Sequence, residues 1–557
     1  MYFPPDPVQE INAELIKLRH KTQESDEGLK KLKFYREVFV IQYQKSSTCE
    51  VQIEQNSDQG EKLIYDFQQL LKLRMELYNN FLHIYIRLKE LQKKFLETHL
   101  IKWKRAQQLY GNGVPFQNNL EKLQEWCEML ADIIWQIKLN IGQIENLFAC
   151  FSSPEINFEK LSILKNYFIV LLSSLITNVF IIEKQPPQVI KTNTRFSTKV
   201  RLLVGSKLGV SMSSPQVKVT IVSEAQALEL IRTGKNGIEA SGVILNNMGT
   251  MEYYEATGQL SISFQNLQLQ TINRAQKKGL DSVMDEKFSL LFQTQFQVGG
   301  GDLNFQVWTL SLPIVVIVHG NQDPYALATI TWDNAFGKPG RELFKVPDKV
   351  HWKEVAAMLR NKFKSYTGCA LSEDNLQLLA RKVLRTSGFV KPEAQVTLSQ
   401  FCKESLPRRK FTFWEWFYGI MKVTREHLSY LWNEGHIMGF VDRQHAEELL
   451  LQKCNGTFLL RFSDSVIGGV TIAWVADSQA RGSREVFMVE PITSRDFLIR
   501  SISDRIYDFE ILQYLYPALP KDQAFKKYYT LNTGVINPNG YINRGLISQL
   551  PGFVAMQ

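Results

Sequence analysis

The sequence predicts a multidomain chain of mixed α and β class. A bundle of long helices comes first, then a β-sandwich or barrel, then more helices, and last a small α–β–α unit with a tail. Three observations carry this. Apolar residues recur at alternating three- and four-residue spacing in the first 185 residues. Near Gln185-Pro-Pro187 the period falls from 3.6 to 2. Further on, the short apolar run Phe458, Leu459, Leu460 and Phe462 encloses a single arginine, Arg461.

The bulk numbers bound the class. A chain of 557 residues holds several domains with sizeable cores. A formal charge of +9 admits an anionic partner without naming one. Six cysteines (49, 127, 150, 369, 402, 454) are scattered without a CxxC pair, which argues for a reducing compartment and against a disulfide or zinc framework. No cofactor motif stands out, and there is no P-loop, HExxH or kinase catalytic loop, so an enzyme is not expected. Met1-Tyr-Phe-Pro-Pro has neither the basic start nor the apolar core of a signal peptide. The most lipid-like stretch, Tyr167–Ile182, falls short of the ~20 residues that span a bilayer and reads as a buried bundle helix, so no membrane insertion is expected.

Residues 1–185 read as four helices. In the second, Phe67, Leu70, Leu77, Phe81, Ile84, Leu88, Leu91 and Phe95 form a coiled-coil-like seam broken once at Arg74. Chain breaks are expected at 57–60, 111–115 and 152–154. Residues 186–335 read as short strands: 200–204, 217–222, 260–267, 288–296, 305–318 and 328–332, with Gly, Asn and Ser in the turns. From 186 to 220 the charged residues are Lys191, Arg195, Lys199, Arg201, Lys207 and Lys218, all basic. Such a one-sided stretch suits a phosphate-tracking edge, and equally a solvated strand edge. His319-Gly320-Asn321-Gln322 closes a long apolar strand and should project from a rim. These residue types suit base edges, and ordinary turns as well. Residues 336–432 read as helices with tryptophans at 352, 414, 416 and 432, the pair at 414–416 being core. Arg408-Arg-Lys410 reads as a solvated loop or a basic patch.

From 433 to 520 the pattern is α–β–α. The apolar run reads as a central strand covered on both faces. A guanidinium there needs an anion, since burying it unpaired costs several kcal/mol or more. Arg461 and Ser463 share a face by alternation, and Ser465 follows at the turn. A fork of N–H donors beside hydroxyls suits a tetrahedral dianion such as phosphate; an internal carboxylate is the other reading. Arg443 leads a helix expected over 444–451, and Asn455-Gly456 signals a tight turn before the strand. Tyr541 stands in the tail, residues 521–557, just after a Gly/Asn/Pro-rich linker at 532–540, where a kinase has access.

The runs GTFLLRFSDS, IGGVTIAWV, FTFWEWFYGIMKV, LWNEGHIMGFV and LSLPIVVIVHGNQD resemble the STAT transcription factors over nearly the whole chain. The resemblance implies a four-helix coiled-coil domain (1–185), an immunoglobulin-like β-barrel that binds DNA (186–335), a helical linker (336–432), an SH2 α+β domain (433–520) and a phosphotyrosine tail (521–557). It implies a latent cytoplasmic factor that a receptor-associated tyrosine kinase phosphorylates on Tyr541. Homodimers would form by reciprocal SH2–phosphotyrosine exchange, enter the nucleus and bind palindromic TTC…GAA-type sites. Arg461, Ser463, Ser465 and Arg443 would bind phosphotyrosine, including that of cytokine-type receptors. Lys191, Lys207, His319, Gly320, Asn321 and Gln322 would contact DNA. His at 319 resembles the branch that includes invertebrate members. Family members usually start with a further helical domain and extend past the tyrosine, whereas Tyr541 is 16 residues from the end here, as in a short isoform or fragment. A phosphotyrosine-dependent cytosolic adaptor is the rival expectation.

Overall fold

The computed structural model describes residues 7–48, 56–149, 158–205, 207–209, 214–234, 239–274, 285–477 and 483–530. It divides into two compact units, 1–350 with 397–402, and 351–396 with 403–557.

The first unit opens with the helices α1 (Pro7–Thr48), α2 (Asn56–Lys94), α3 (Ile101–Tyr110), α4 (Leu120–Phe148) and α5 (Phe158–Asn178). A single π turn, Phe95–Leu100, joins α2 to α3, so the two run as one helix. The seam from Leu70 to Phe95 is buried as its spacing predicts. Arg74 does not break it. The side chain is itself buried, with its guanidinium 5.3 Å over the Phe148 ring. Residues 57–60, expected as a break, lie inside α2. The apolar stretch ending at Ile182 also divides differently from its reading. Helix α5 stops at Asn178, and Phe180–Ile182 open a strand. By length and composition the segment Glu159–Asn178 would suffice to cross a bilayer. In this unit Leu164, Phe168, Leu172, Leu175 and Ile176 are buried in the core shared by the bundle and the barrel.

The barrel follows with β1 (Phe180–Lys184), β2 (Val189–Lys191), β3 (Arg195–Leu202), β4 (Gln216–Ser223), α6 (Glu224–Thr233), β5 (Gly242–Leu245), β6 (Met248–Thr250), β7 (Glu252–Tyr254), β8 (Gln259–Ile272), β9 (Phe288–Val298), β10 (Leu303–Leu310) and β11 (Val315–Ile317). One sheet has the order β1-β3-β8-β5 with β7 also on β8; the other is β10-β9-β4-β6. Phe264 of β8 and Phe292 of β9 meet between the sheets, ring centroids 6.4 Å apart. The run 305–318 is not one strand, because Pro313 has no N–H to give a ladder. After it, β11 pairs in parallel with β2, Ile317 opposite Lys191.

The run 328–332 is not a strand either. It lies within α7 (Asp323–Phe336), which has Pro at its start and buries Ala326, Ile330, Trp332 and Asp333. Asp333 is fully buried, held by Lys287 (2.8 Å) and Arg341 (2.5 Å). The far end of α7 is gripped from the bundle. Arg105 of α3 donates to the carbonyls of Asn334 and Gly337 (2.9 Å each) and Ala335 (2.5 Å), satisfying groups that a helix C-terminus leaves open. Phe401, in α10 (Leu398–Cys402), packs on Trp332 with ring centroids 5.2 Å apart.

Two three-residue strands, β12 (Lys349–His351) and β13 (Gln395–Thr397), lie where the chain passes between the units. The second unit contains α8 (Trp352–Thr367), α9 (Glu373–Leu384), α11 (Phe413–Val423), α12 (Ser429–Asn433) and α13 (Arg443–Leu451). They surround a sheet of β14 (Thr457–Phe462), β15 (Val470–Asp477), β16 (Arg484–Met488), β17 (Tyr514–Leu515) and β18 (Leu519–Pro520), in the order β16-β15-β14-β17-β18. Helices α14 (Ser494–Ile499), α15 (Ile502–Asp508) and α16 (Lys521–Phe525) complete it. One aromatic cluster joins the linker helices to the sheet. Phe440 lies 5.0 Å from Phe462 and 5.2 Å from Trp416, and Trp432 lies 5.7 Å from Phe462.

Candidate functional site

The sheet places Arg461 where the sequence predicts. All six residues of β14 are buried, with β15 antiparallel on one side and β17 parallel on the other. Gly456 makes the entry turn at φ +82°, where a Cβ would meet the Ile511 carbonyl at 2.9 Å. Arg461 is 4% exposed. Its Nε donates to the Val441 carbonyl at 2.7 Å, which fixes the plane of the guanidinium. Its Nη2 has no hydrogen-bond partner. The nearest carboxylate oxygen, Asp464 Oδ1, is 3.6 Å from Nη2, an ion pair too long for a hydrogen bond. Burial lowers the Arg461 pKa, and Asp464 opposes that shift. So the two anions proposed for Arg461 are not alternatives. An internal carboxylate is present, yet it leaves donor capacity unused.

The two hydroxyls follow directly along the chain. Ser463 and Ser465 Oγ are 3.1 Å apart, and the Ser465 N–H donates to Ser463 Oγ at 3.2 Å. Arg443 begins α13, one residue after its N-cap Asp442. Its side chain is exposed and donates to Glu447 at 2.8 Å, and its charge acts on Arg461.

Sequence reasoning missed the groups that hold this pocket. Asp464 also accepts from Lys382 of α9 at 2.8 Å. Burial would raise the Asp464 carboxyl, but the Lys382 and Arg461 charges outweigh it and hold the pKa below its ordinary value. Arg409 donates to the Asp464 carbonyl (3.0 Å), and Trp416 to that of Ser463 (2.7 Å). Arg381 pairs with Asp442 at 3.1 Å. Asn375 donates to the Met438 carbonyl at 3.0 Å. Strand alternation sets Asp464 on the face opposite Arg461, but β14 ends at Phe462 and alternation ends with it. Lys382 lies 82 positions upstream of Asp464 and gives no local signal.

The basic stretch does not stay together. Lys191, at the end of β2, is exposed beside the 319–322 turn, since Ile317 is its register partner. That turn is a 3-10 turn leading into α7, with His319, Gly320 and Asn321 exposed. Gln322 is spent inside it, its Oε1 accepting from the N–H groups of Val318 (2.9 Å) and His319 (3.2 Å). Lys207 lies elsewhere, past the Leu202 end of β3, in a recess lined by Glu125, Glu128 and Asp132 of α4. An eight-residue strand is about 26 Å long, so its two ends cannot serve one contact. Lys199 and Arg201 pair with Glu183 at 3.0 and 3.8 Å, and Arg201 is buried. Of the six cations, only Lys191 and Arg195 are exposed at the end of the barrel near the turn. Tyr541 lies outside the described residues. Among those residues, no group of His, Cys, Asp or Glu is arranged to hold a metal.

Comparison with known proteins gives four family matches in chain order. Residues 12–165 match the coiled-coil domain of STAT transcription factors, and 184–317 the STAT DNA-binding domain. Residues 339–417 match the linker domain of signal transducers and activators of transcription, and 436–506 an SH2 domain. A Drosophila melanogaster protein, "Signal transducer and transcription activator", is 42% identical over 444 residues, covering 77% of this chain and 56% of its own length. The chain thus spans little more than half of that relative. A solved chain titled "Crystal Structure of STAT2 in complex with IRF9" overlays at TM-score 0.28 and 19% identity, covering 30% of this chain and 97% of its own. That overlay is too poor to bear on fold or partners.

Proposed function

Because the chain belongs to the STAT family, with the coiled-coil, DNA-binding, linker and SH2 domains in order, we propose that it is a latent transcription factor switched on by tyrosine phosphorylation. A receptor-associated kinase phosphorylates Tyr541. The phosphate of one chain enters the Arg461 pocket of another, and that of the second enters the first. The paired barrels then hold a palindromic TTC…GAA-type site, with Lys191 on phosphate and the 319–321 turn at base edges. The cycle runs from cytoplasm to nucleus.

One observation carries this reading: a buried guanidinium, oriented through Nε, whose Nη2 has no hydrogen-bond partner, on the strand that leads into the paired hydroxyls of Ser463 and Ser465. A phosphate dianion supplies acceptors in the geometry a guanidinium fork fits. Arg443, an exposed side chain paired with Glu447 in its own helix, can turn from that carboxylate to the incoming charge. His319 supports a likeness to the branch whose turn carries His.

The test is a gel shift on a TTC…GAA duplex with and without Tyr541 phosphorylation, beside binding of a phosphorylated Tyr541 peptide. Arg461→Ala should abolish peptide binding and leave helix content intact. Parental affinity in Arg461→Ala would remove the pocket assignment. A phosphorylated chain that dimerises but ignores the duplex would be an adaptor instead.

A further inference from the structure

The phosphotyrosine pocket holds an acidic side chain where a dianion must arrive. Asp464 lies 3.6 Å from Arg461 Nη2, the donor with no other partner. An unscreened carboxylate there would harm binding twice, by drawing the guanidinium toward itself and by repelling the phosphate. What stands on its other side is Lys382, from linker helix α9, at 2.8 Å. Both partners are about three-quarters buried, so salt screens the pair less than a surface pair. The neighbours fix the geometry. Arg409 holds the Asp464 carbonyl, and Arg381 holds Asp442 one residue past Val441, whose carbonyl orients Arg461.

We propose that Lys382 is a positioning residue of the phosphotyrosine pocket. By engaging Asp464 from the linker, it keeps that carboxylate from competing with phosphate for Arg461. The proposal rests on the phosphotyrosine reading of the site and adds that the linker sets its affinity. Lys382 itself does not touch the phosphate. In the structure Asp464 is shared between Lys382 and Arg461. When phosphate binds, its oxygens take the Nη groups of the fixed Arg461 guanidinium, and Asp464 rests on Lys382 alone.

The experiment measures binding of a fluorescent peptide spanning residues 536–547, phosphorylated on Tyr541, to the full chain and its variants. Lys382→Gln should weaken binding by about tenfold, the scale of one uncompensated charge near a partly buried dianion. Lys382→Arg should stay near the parent. The decisive variant is Lys382→Gln with Asp464→Asn, which should return to within about threefold of the parent because the competing charge has gone with its partner. Simple damage to the fold predicts no such recovery. Parental affinity in Lys382→Gln, or a double variant as weak as the single, overturns the proposal while Arg461→Ala still abolishes binding. A parent chain that fails to bind the peptide, or an Arg461→Ala chain that binds it normally, overturns the phosphotyrosine reading and this inference with it.

Discussion

At the scale of single residues the pocket depends on a glycine that touches no ligand. Gly439 forms the parallel bridge to Arg461, and its carbonyl accepts from Phe462 N–H at 2.9 Å. It sits at φ +88°, and a Cβ there would meet Asn375 Oδ1 at 2.4 Å and the Trp432 ring at 3.1 Å. Gly439→Ala should therefore cost about 1–3 kcal/mol from backbone strain and crowding. It should also weaken phosphopeptide binding, because the displaced segment includes Val441. Denaturant titration and peptide anisotropy together check this. Normal stability with normal binding would show that the 438–441 segment can shift without moving Arg461.

At the scale of elements, what was legible depended on whether one local pattern decided the outcome. The β14 strand was readable because a charged residue in a doubly apolar run has few solutions. Helix α7 was misread because Ala328-Thr-Ile-Thr-Trp332 has strand-like residues, while the buried ion pairs that anchor Asp333 in the helix come from Lys287 and Arg341, outside that local run. Helix α6 was missed although its signals were present: Ser223 and Gln226 make a capping box, and Gly234 closes the helix at φ +62°. The Lys382–Asp464 pair was out of reach, since nothing local links a helix to a turn so far along the chain. Helix α8 offers a test of its own burial. Lys362 is buried there, and burial lowers its pKa to about 8. Its folded pKa lies below the unfolded one, so the folded state sheds its proton first and stability from this group rises with pH between about 8 and 10.5. Lys362→Met should thus stabilise the protein at pH 7, by at most about 3 kcal/mol, and the gain should shrink by pH 10. Melting curves at the two pH values decide it; a gain that does not shrink would mean the ammonium is not the source.

At the scale of the whole molecule, the proposed activation would pair two chains. Thr530, the last described residue, is pinned by Asp504, which accepts from its N–H (2.7 Å) and hydroxyl (2.8 Å). From that anchor to Tyr541 the chain extends at most about 40 Å. Two reciprocal contacts reinforce each other, because the first raises the effective concentration for the second. After phosphorylation the parent should be a stable dimer by light scattering. An equal mixture of Arg461→Ala and Tyr541→Phe chains keeps one contact and should be a much weaker dimer, and each variant alone a monomer. A phosphorylated parent that stays monomeric at micromolar concentration would show that the tail folds back on its own pocket.

Helix α7 has a consequence of another kind. One end of this 14-residue rod, about 21 Å long, follows directly from the turn at 319–322, and the other is clasped by Arg105 of the bundle. A helix of this length is stiff, so displacement at one end is delivered to the other. The bundle and the 319–322 turn are therefore joined by a rod anchored at the buried Asp333. If the turn reads DNA as proposed, a partner that tilts α3 would also shift His319 and Asn321 against a duplex. What sits on the bundle would then tune which sequences are favoured, with no change in the residues that do the reading.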